Sequence, residues 1–208
     1  MKGIYLLKIL KSHLLHLVLA LGLVGTCAAQ DENPRVLMST ALGDIEIELF
    51  LDRAPVTADN FLRMVQGGFL DGGSFYRTVT YENDNGSPKI EVIQGGLNNE
   101  ASPFDPIRHE STAETGILHL DGVISMARGG VGTASSEFFI CIGDQPGLDH
   151  GQPRNEDGQG FAAFGRVVSG MDVVRAINGQ ATLNNSDSEY TSGQIIANPV
   201  VITTVTEL

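Results

Sequence analysis

Apolar and polar residues alternate strictly over residues 44–49 of the run 44–50, where Ile45, Ile47 and Leu49 are interleaved with Asp44, Glu46 and Glu48. A period of two puts one set on a buried face and the other in water, so this run predicts a half-buried strand. Residues 35–40, joined to it by Ala41-Leu42-Gly43, predict the other arm of an antiparallel hairpin. After Pro55 the period changes. Phe61, Leu62, Met64 and Val65 recur at helical spacing up to Gly67-Gly68, with Thr57 as the expected N-cap. Strand-like runs return at residues 74–79, 90–94, 116–120, 161–168 and 200–205. Alternation along 74–79 assigns Phe75, Arg77 and Val79 to one face, Tyr76 and Thr78 to the other. Residues 170–177 predict a second short helix carrying Met171, Val174 and Ile177 on one side. Residues 81–89, 97–115, 143–160 and 178–197 have no period and are rich in turn formers, so they predict surface connections.

The stretch 122–142 organises the rest. Two apolar runs, the second being Phe138-Phe139-Ile140-Cys141-Ile142, flank a bend of small residues that includes Gly129, Gly130 and Gly132. Two buried strands holding open a small-residue floor predict a binding groove, with Arg128 and Glu137 as its edge charges. About eight short strands without βαβ alternation argue for an antiparallel barrel or sandwich. The two helices cannot cross over between parallel strands and are available to close the ends.

Composition changes this picture at one end of the chain. Lys2, Lys8 and Lys11, an apolar run over 14–24, and Thr26-Cys27-Ala28-Ala29 form the pattern of a secretory signal over residues 1–29. The apolar run is short for a membrane span, so no integral membrane segment is expected after cleavage. Thr26 is bulkier than the residue expected ahead of a lipidated cysteine. Residues 30–34 read as a polar leader and 35–208 as one domain, expected in the periplasm. Without the signal Cys141 stands alone, which excludes a disulfide framework. The whole chain carries −12; the signal holds three of its 13 basic residues and none of its 25 acidic ones, leaving −15. Such acidity argues against nucleic acid and anionic lipid as partners.

Candidate chemistry is sparse. There is no G-x-S-x-G elbow. His109, His119 and His150 lack metal-ligand spacing and read as loop or surface histidines, so neither metal nor cofactor is expected. The run 129–135 lacks the Lys-Ser/Thr ending of a phosphate loop and leads into a strand. What remains is Arg77, set among apolar strand neighbours where a guanidinium needs partners; a carboxylate at a barrel rim would make it mere scaffold.

At this point several motifs converge. Phe75-Tyr76-Arg77, Ile93-Gln94-Gly95-Gly96, residues 122–128 and 136–141, Leu148-Asp149-His150-Gly151 and residues 164–174 follow one another in the order and spacing of the cyclophilin-type peptidyl-prolyl cis-trans isomerases. The chain resembles that family, most closely its bacterial exported branch, from about Arg35 to Ile177. The resemblance implies a mainly β fold, a closed eight-stranded antiparallel β-barrel capped by two α-helices. It implies isomerisation of X-Pro bonds in proline-containing polypeptides during folding of exported proteins, by a monomer, with Arg77 polarising the prolyl nitrogen. Phe139 then floors the proline pocket, with Val92, Leu148 and Phe161 as walls. Ala127, Arg128 and Gly129 supply the backbone edge, Arg128 mainly through its main chain; Gln94, Tyr76 and Glu137 complete the substrate contacts.

Four positions depart from the family's pattern. Glu137 replaces a common glutamine and is expected to grip Arg77, partly neutralising it; together with the altered 81–91 region that favours the alternative of a proline-peptide binding module or holdase with little catalysis. Phe161 stands where some members have histidine, and Gly147 where some have tryptophan. Residues 81–89 form a lengthened loop, and the usual phenylalanine before the Gln94 motif is replaced by Glu91 or Ile90.

Overall fold

The computed structural model describes residues 33–97, 102–184 and 188–208. The expected signal 1–29, with Cys27, and residues 30–32 of the polar leader lie outside the described residues. Residues 33–208 form one compact unit.

The opening hairpin forms as its alternation dictates. β1 (Arg35–Thr40) pairs with β2 (Gly43–Leu49) so that Val36 faces Ile47 and Met38 faces Ile45. All four are buried, as is Leu49. β3 (Ser74–Val79), β4 (Val92–Gly96), β5 (Val123–Met126), β6 (Phe138–Cys141), β7 (Ala162–Ser169) and β9 (Ile195–Glu207) complete a ring in the order β1-β2-β7-β5-β6-β4-β3-β9. The β1–β9 pairing closes it into an eight-stranded antiparallel barrel and leaves no exposed sheet edge within the ring. A two-residue strand, β8 (Thr182–Leu183), pairs outside it on β9. β9 is much longer than the expected 200–205 run, and it draws Gln194 and Ile195 up beside β3. The apolar run 116–120 forms no strand; Leu118 and Leu120 are exposed, and the strand begins only at Val123.

Inside the barrel, Phe61, Phe75, Phe138 and Phe164 interlock. Phe138 meets Phe61 and Phe75 edge-on at 5.4 and 5.7 Å, a preferred aromatic geometry. Phe61 belongs to α1 (Pro55–Gln66), which packs against β7 and β9. The helix begins two residues before the expected cap. Pro55 occupies its first turn, where a missing N–H costs nothing. Thr57 is not the N-cap. Its N–H and hydroxyl instead donate to Glu110 at 2.8 and 2.7 Å, and the Val56 N–H donates to the same carboxylate at 3.2 Å. Glu110, 1 % exposed, thus caps the helix from the far side of the sequence. α3 (Met171–Asn178) buries Val174 and Ile177 as its pattern predicts, while α2 (Thr112–Thr115) is a single turn within the irregular 97–115 connection.

Candidate functional site

A second, smaller apolar cluster lies on the outer face of the same strands. It comprises Val79, Ile90, Val92, Phe139, Cys141 and Leu148, with Ala127 and Phe161 packed against it. Phe139 follows Phe138 directly, so the pleat sends the two rings to opposite faces of β6. Its ring meets Phe161 edge-on at 5.2 Å and lies nearly parallel to His119 at 6.0 Å. Cys141 is buried here, and burial pushes its thiol well above the ordinary thiol range.

Arg77 reaches this face because β3 does not alternate. The register slips between Phe75 and Arg77, so Tyr76 is an extra residue opposite β4. Without that bulge Phe75 and Arg77 would share a face, as the sequence pattern predicts. With it, Phe75 points into the core while Arg77 lines the groove and Val79 joins the outer apolar cluster beneath it.

The partners of Arg77 also differ from expectation. Its Nη1 donates to Gln94 Oε1 at 2.8 Å, and its Nε and Nη2 donate to Gln194 Oε1 at 2.9 and 2.6 Å. Glu137 does not grip it. That carboxylate accepts the Tyr76 hydroxyl at 2.6 Å and the Leu97 N–H at 3.0 Å. The Tyr76 oxygen in turn accepts from Gln94 Nε2 at 2.8 Å. Glu137 is therefore linked to Arg77 through two intervening side chains, and both groups that hold the guanidinium are neutral amides. Burial raises the Tyr76 phenol far above its ordinary value, reinforced by the adjacent carboxylate, so it stays a donor to Glu137.

The expected residues converge on two adjoining cavities. Arg77, Val92, Phe139, Leu148 and Phe161 line one of about 230 Å³. Tyr76, Gly129 and Glu137 line the other, of about 320 Å³, and Gln94, Ala127 and Arg128 border both. Arg128 does more than offer its main chain. Its guanidinium is buried, holds the Gly160 carbonyl at 2.6 and 2.9 Å, pairs with both oxygens of Asp157, and lies 5.2 Å from the centre of the Phe161 ring. The hydrogen bonds from Arg128 lower Asp157 to about 2. Of the two residues that could replace the usual phenylalanine, Ile90 lines the cavity and Glu91 does not.

Sequence reasoning missed the rest of the wall. The lengthened 81–89 loop is not simply surface: Asp84 is buried and forms a two-pronged pair with Arg154, at 2.7 and 2.9 Å. Burial would raise the Asp84 carboxyl, but Arg154 and the N–H groups of Gly86 and Ile90 outweigh it and hold it below its ordinary value. Arg154 also donates to the Pro88 carbonyl at 2.7 Å and the Tyr190 hydroxyl at 2.9 Å. Pro88 fills the space beside Gly147, where a Cβ would come within 2.5 Å of its ring. The loop thus occupies the room a large side chain at position 147 would need. Tyr190, Arg154 and Asn155 join Arg77 and Ile90 in lining the first cavity.

His119 is likewise not a surface histidine. It is buried, with Nδ1 2.8 Å from Asp149 and Nε2 3.0 Å from Ser125 Oγ. Hydroxyl, imidazole and carboxylate are linked as in a nucleophilic triad, but Ser125 is 0 % exposed and has no substrate-facing side. The chain of bonds backs the Phe139 ring instead. His119 and Ser125 are six residues apart and Asp149 lies thirty residues from His119, and nothing in that spacing brings the three together.

Comparison with known proteins agrees with the fold and the motifs. The family model described as cyclophilin type peptidyl-prolyl cis-trans isomerase/CLD matches residues 35–207. Peptidyl-prolyl cis-trans isomerase A of Dickeya dadantii is 35% identical over 171 residues, covering 80% of this chain and 83% of that protein. Peptidyl-prolyl cis-trans isomerase ppi1 of Schizosaccharomyces pombe is 34% identical over 140 residues, covering 67% and 82%. Relatives therefore include eukaryotic as well as bacterial proteins. A crystal structure of a cyclophilin type peptidyl-prolyl cis-trans isomerase from Cryptosporidium parvum shares the fold with a TM-score of 0.63 at 19% identity, over 85% of this chain and 98% of that one. A second structure of that protein, in the presence of the dipeptide Ala-Pro, gives 0.61, over 83% of this chain and 97% of that one. With the family model spanning the barrel from β1 to β9, the chain belongs to the cyclophilin-type peptidyl-prolyl cis-trans isomerases and is an isomerase of that family.

Proposed function

We propose that Arg77 catalyses X-Pro isomerisation, and that the clients are exported proteins folding in the periplasm. The observation that carries the catalytic role is the way Arg77 is held. Two amide oxygens fix its orientation without neutralising it. Three of the five N–H groups of a guanidinium are thereby used, and two remain to face a ligand in the cavity. A substrate proline seated on Phe139 between Val92, Leu148 and Phe161 brings its nitrogen to this guanidinium. The Ala-Pro dipeptide reported with the Cryptosporidium structure fits a proline-containing ligand here.

The chemistry needs only an oriented cation. Rotation about the prolyl C–N bond faces a barrier of roughly 18–20 kcal/mol because the nitrogen lone pair is conjugated with the carbonyl. At the top of the barrier that lone pair is localised on nitrogen and accepts a hydrogen bond from the guanidinium. In the planar ground state it does not. The interaction therefore strengthens in the transition state, as catalysis requires. Replacing Arg77 with Ala is expected to lower kcat/KM on a proline peptide about 100-fold, with the fold retained by circular dichroism. Equal rates in variant and wild type, or a wild type no faster than the uncatalysed reaction, would overturn the proposal.

The binding-module alternative rests on a carboxylate quenching Arg77 and on the altered 81–91 region; Glu137 is spent on Tyr76 and Leu97 instead, and Ile90 still gives the cavity an apolar wall. Export of the client proteins and of the enzyme itself is supported by the signal pattern of residues 1–29. Recovery of the mature chain from the periplasmic fraction, with its N-terminus near residue 30, tests that part.

A further inference from the structure

We propose that Tyr190 is a specificity-determining residue: with Arg154 behind it, it forms a subsite for an aromatic or bulky aliphatic side chain next to the substrate's proline. This rests on the isomerase reading of Arg77.

Three observations lead there. First, Tyr190 lines the same cavity as Phe139 and Arg77, and the Arg77 guanidinium carbon lies 5.2 Å from its ring centre. A peptide whose proline nitrogen meets Arg77 must pass alongside this ring. Second, Tyr190 is 48 % exposed although it is anchored. Its hydroxyl accepts from Arg154 at 2.9 Å, and Arg154 is itself locked to the buried Asp84. An aromatic surface that is fixed yet open binds with little ordering cost, which is what a recognition wall requires. Third, the segment that carries it is tied down around it. Asn85 Nδ2 donates to the Tyr190 and Ser192 carbonyls at 3.3 and 2.9 Å, and Gln194 Nε2 donates to the Asn83 carbonyl at 2.9 Å.

The charges around this wall also favour an apolar guest. Arg154 is neutralised by Asp84 and Arg128 by Asp157, so neither demands a charged substrate residue. Arg77 is committed to the proline. What Tyr190 offers a neighbouring side chain is ring surface.

The test uses the full chain and two proline-peptide series, with Ala or Phe placed directly before or directly after the proline. Wild type is expected to favour Phe over Ala by about fivefold in kcat/KM in at least one series. Tyr190→Ala should bring that ratio towards one, whatever happens to the absolute rates, while Tyr190→Phe, which keeps the ring but loses the Arg154 anchor, should retain more of it than Tyr190→Ala. In the wild type, intermolecular NOEs should connect the peptide's Phe ring to Tyr190, a measurement that does not depend on the variant folding. A wild-type ratio near one in both series, a ratio unmoved by Tyr190→Ala, or NOEs from the Phe ring only to other residues would overturn the inference. Absence of turnover on every peptide would defeat the Arg77 reading as well, whereas turnover with an unchanged ratio defeats the Tyr190 subsite alone.

Discussion

Phe138 and Phe139 are consecutive residues on one strand, and they belong to two differently built regions. Phe138 packs in the barrel interior among Phe61 and Phe75, side chains supplied by regular elements whose hydrophobic period is visible in the chain. Phe139 lies on the outer face, among residues delivered mostly by loops: Ile90, Leu148 and Phe161, with His119 behind its ring. The interior is a continuous apolar cluster. The outer face mixes a small apolar floor with an amide-held arginine, a buried Arg154–Asp84 pair and an Arg128–Asp157 pair whose carboxylate reaches solvent. One region exists to be stable and the other to leave an opening, and an opening needs polar struts in place of filling.

Exchanging each phenylalanine for alanine tests that division with the largest expected effect. Phe138→Ala should cost about 3–5 kcal/mol of stability, read from chemical denaturation, because the cavity sits in a close-packed core that cannot collapse. Phe139→Ala, at a site already bordered by open space, should cost less than Phe138→Ala and raise KM for proline peptides. A larger stability loss at Phe139 would break the comparison.

Gln194→Met gives an intermediate effect. It keeps the size of the side chain and removes the acceptor for two Arg77 hydrogen bonds. About a tenfold drop in kcat/KM is expected, equivalent to about 1.4 kcal/mol at the transition state. In an Arg77→Ala background the drop should shrink to whatever the lost tie from Gln194 to the Asn83 carbonyl contributes. Additive losses would place Gln194 elsewhere in the mechanism.

Acidification sharpens the contrast most gently. Asp84 and Asp157 both have folded-state values below the ordinary 3.8, Asp157 at about 2. The unfolded chain therefore binds more protons than the folded one as pH falls through this range. The stability these carboxylates add is complete well above pH ~4 and is lost between about 4 and 2. Melting temperatures taken across that interval should fall, and Asp157→Asn should flatten part of the slope. An unchanged slope would mean that the Arg128–Asp157 pair does not contribute.

Much of this molecule was legible in its residues, and the illegible part has a physical reason. The hairpin of β1 and β2, the apolar faces of α1 and α3, the inner and outer faces of β6, and the convergence of Arg77, Gln94, Phe139, Leu148 and Phe161 all follow from local period or from motif order. These are properties of short windows, where neighbouring side chains alone decide which face is buried. Only the tertiary structure decided that a bulge at Tyr76 turns Arg77 outward, and that Glu110 caps α1 from more than fifty residues away. The same holds for the assembly of Asp84, Arg154, Tyr190 and Gln194 into a wall. Each of those pairings takes at least one polar residue from an aperiodic loop, where hydrogen-bonding demand is strong but sequence spacing carries no information about which partner will arrive. Burial pattern is written locally; partnership among buried polar groups is settled only when the barrel closes.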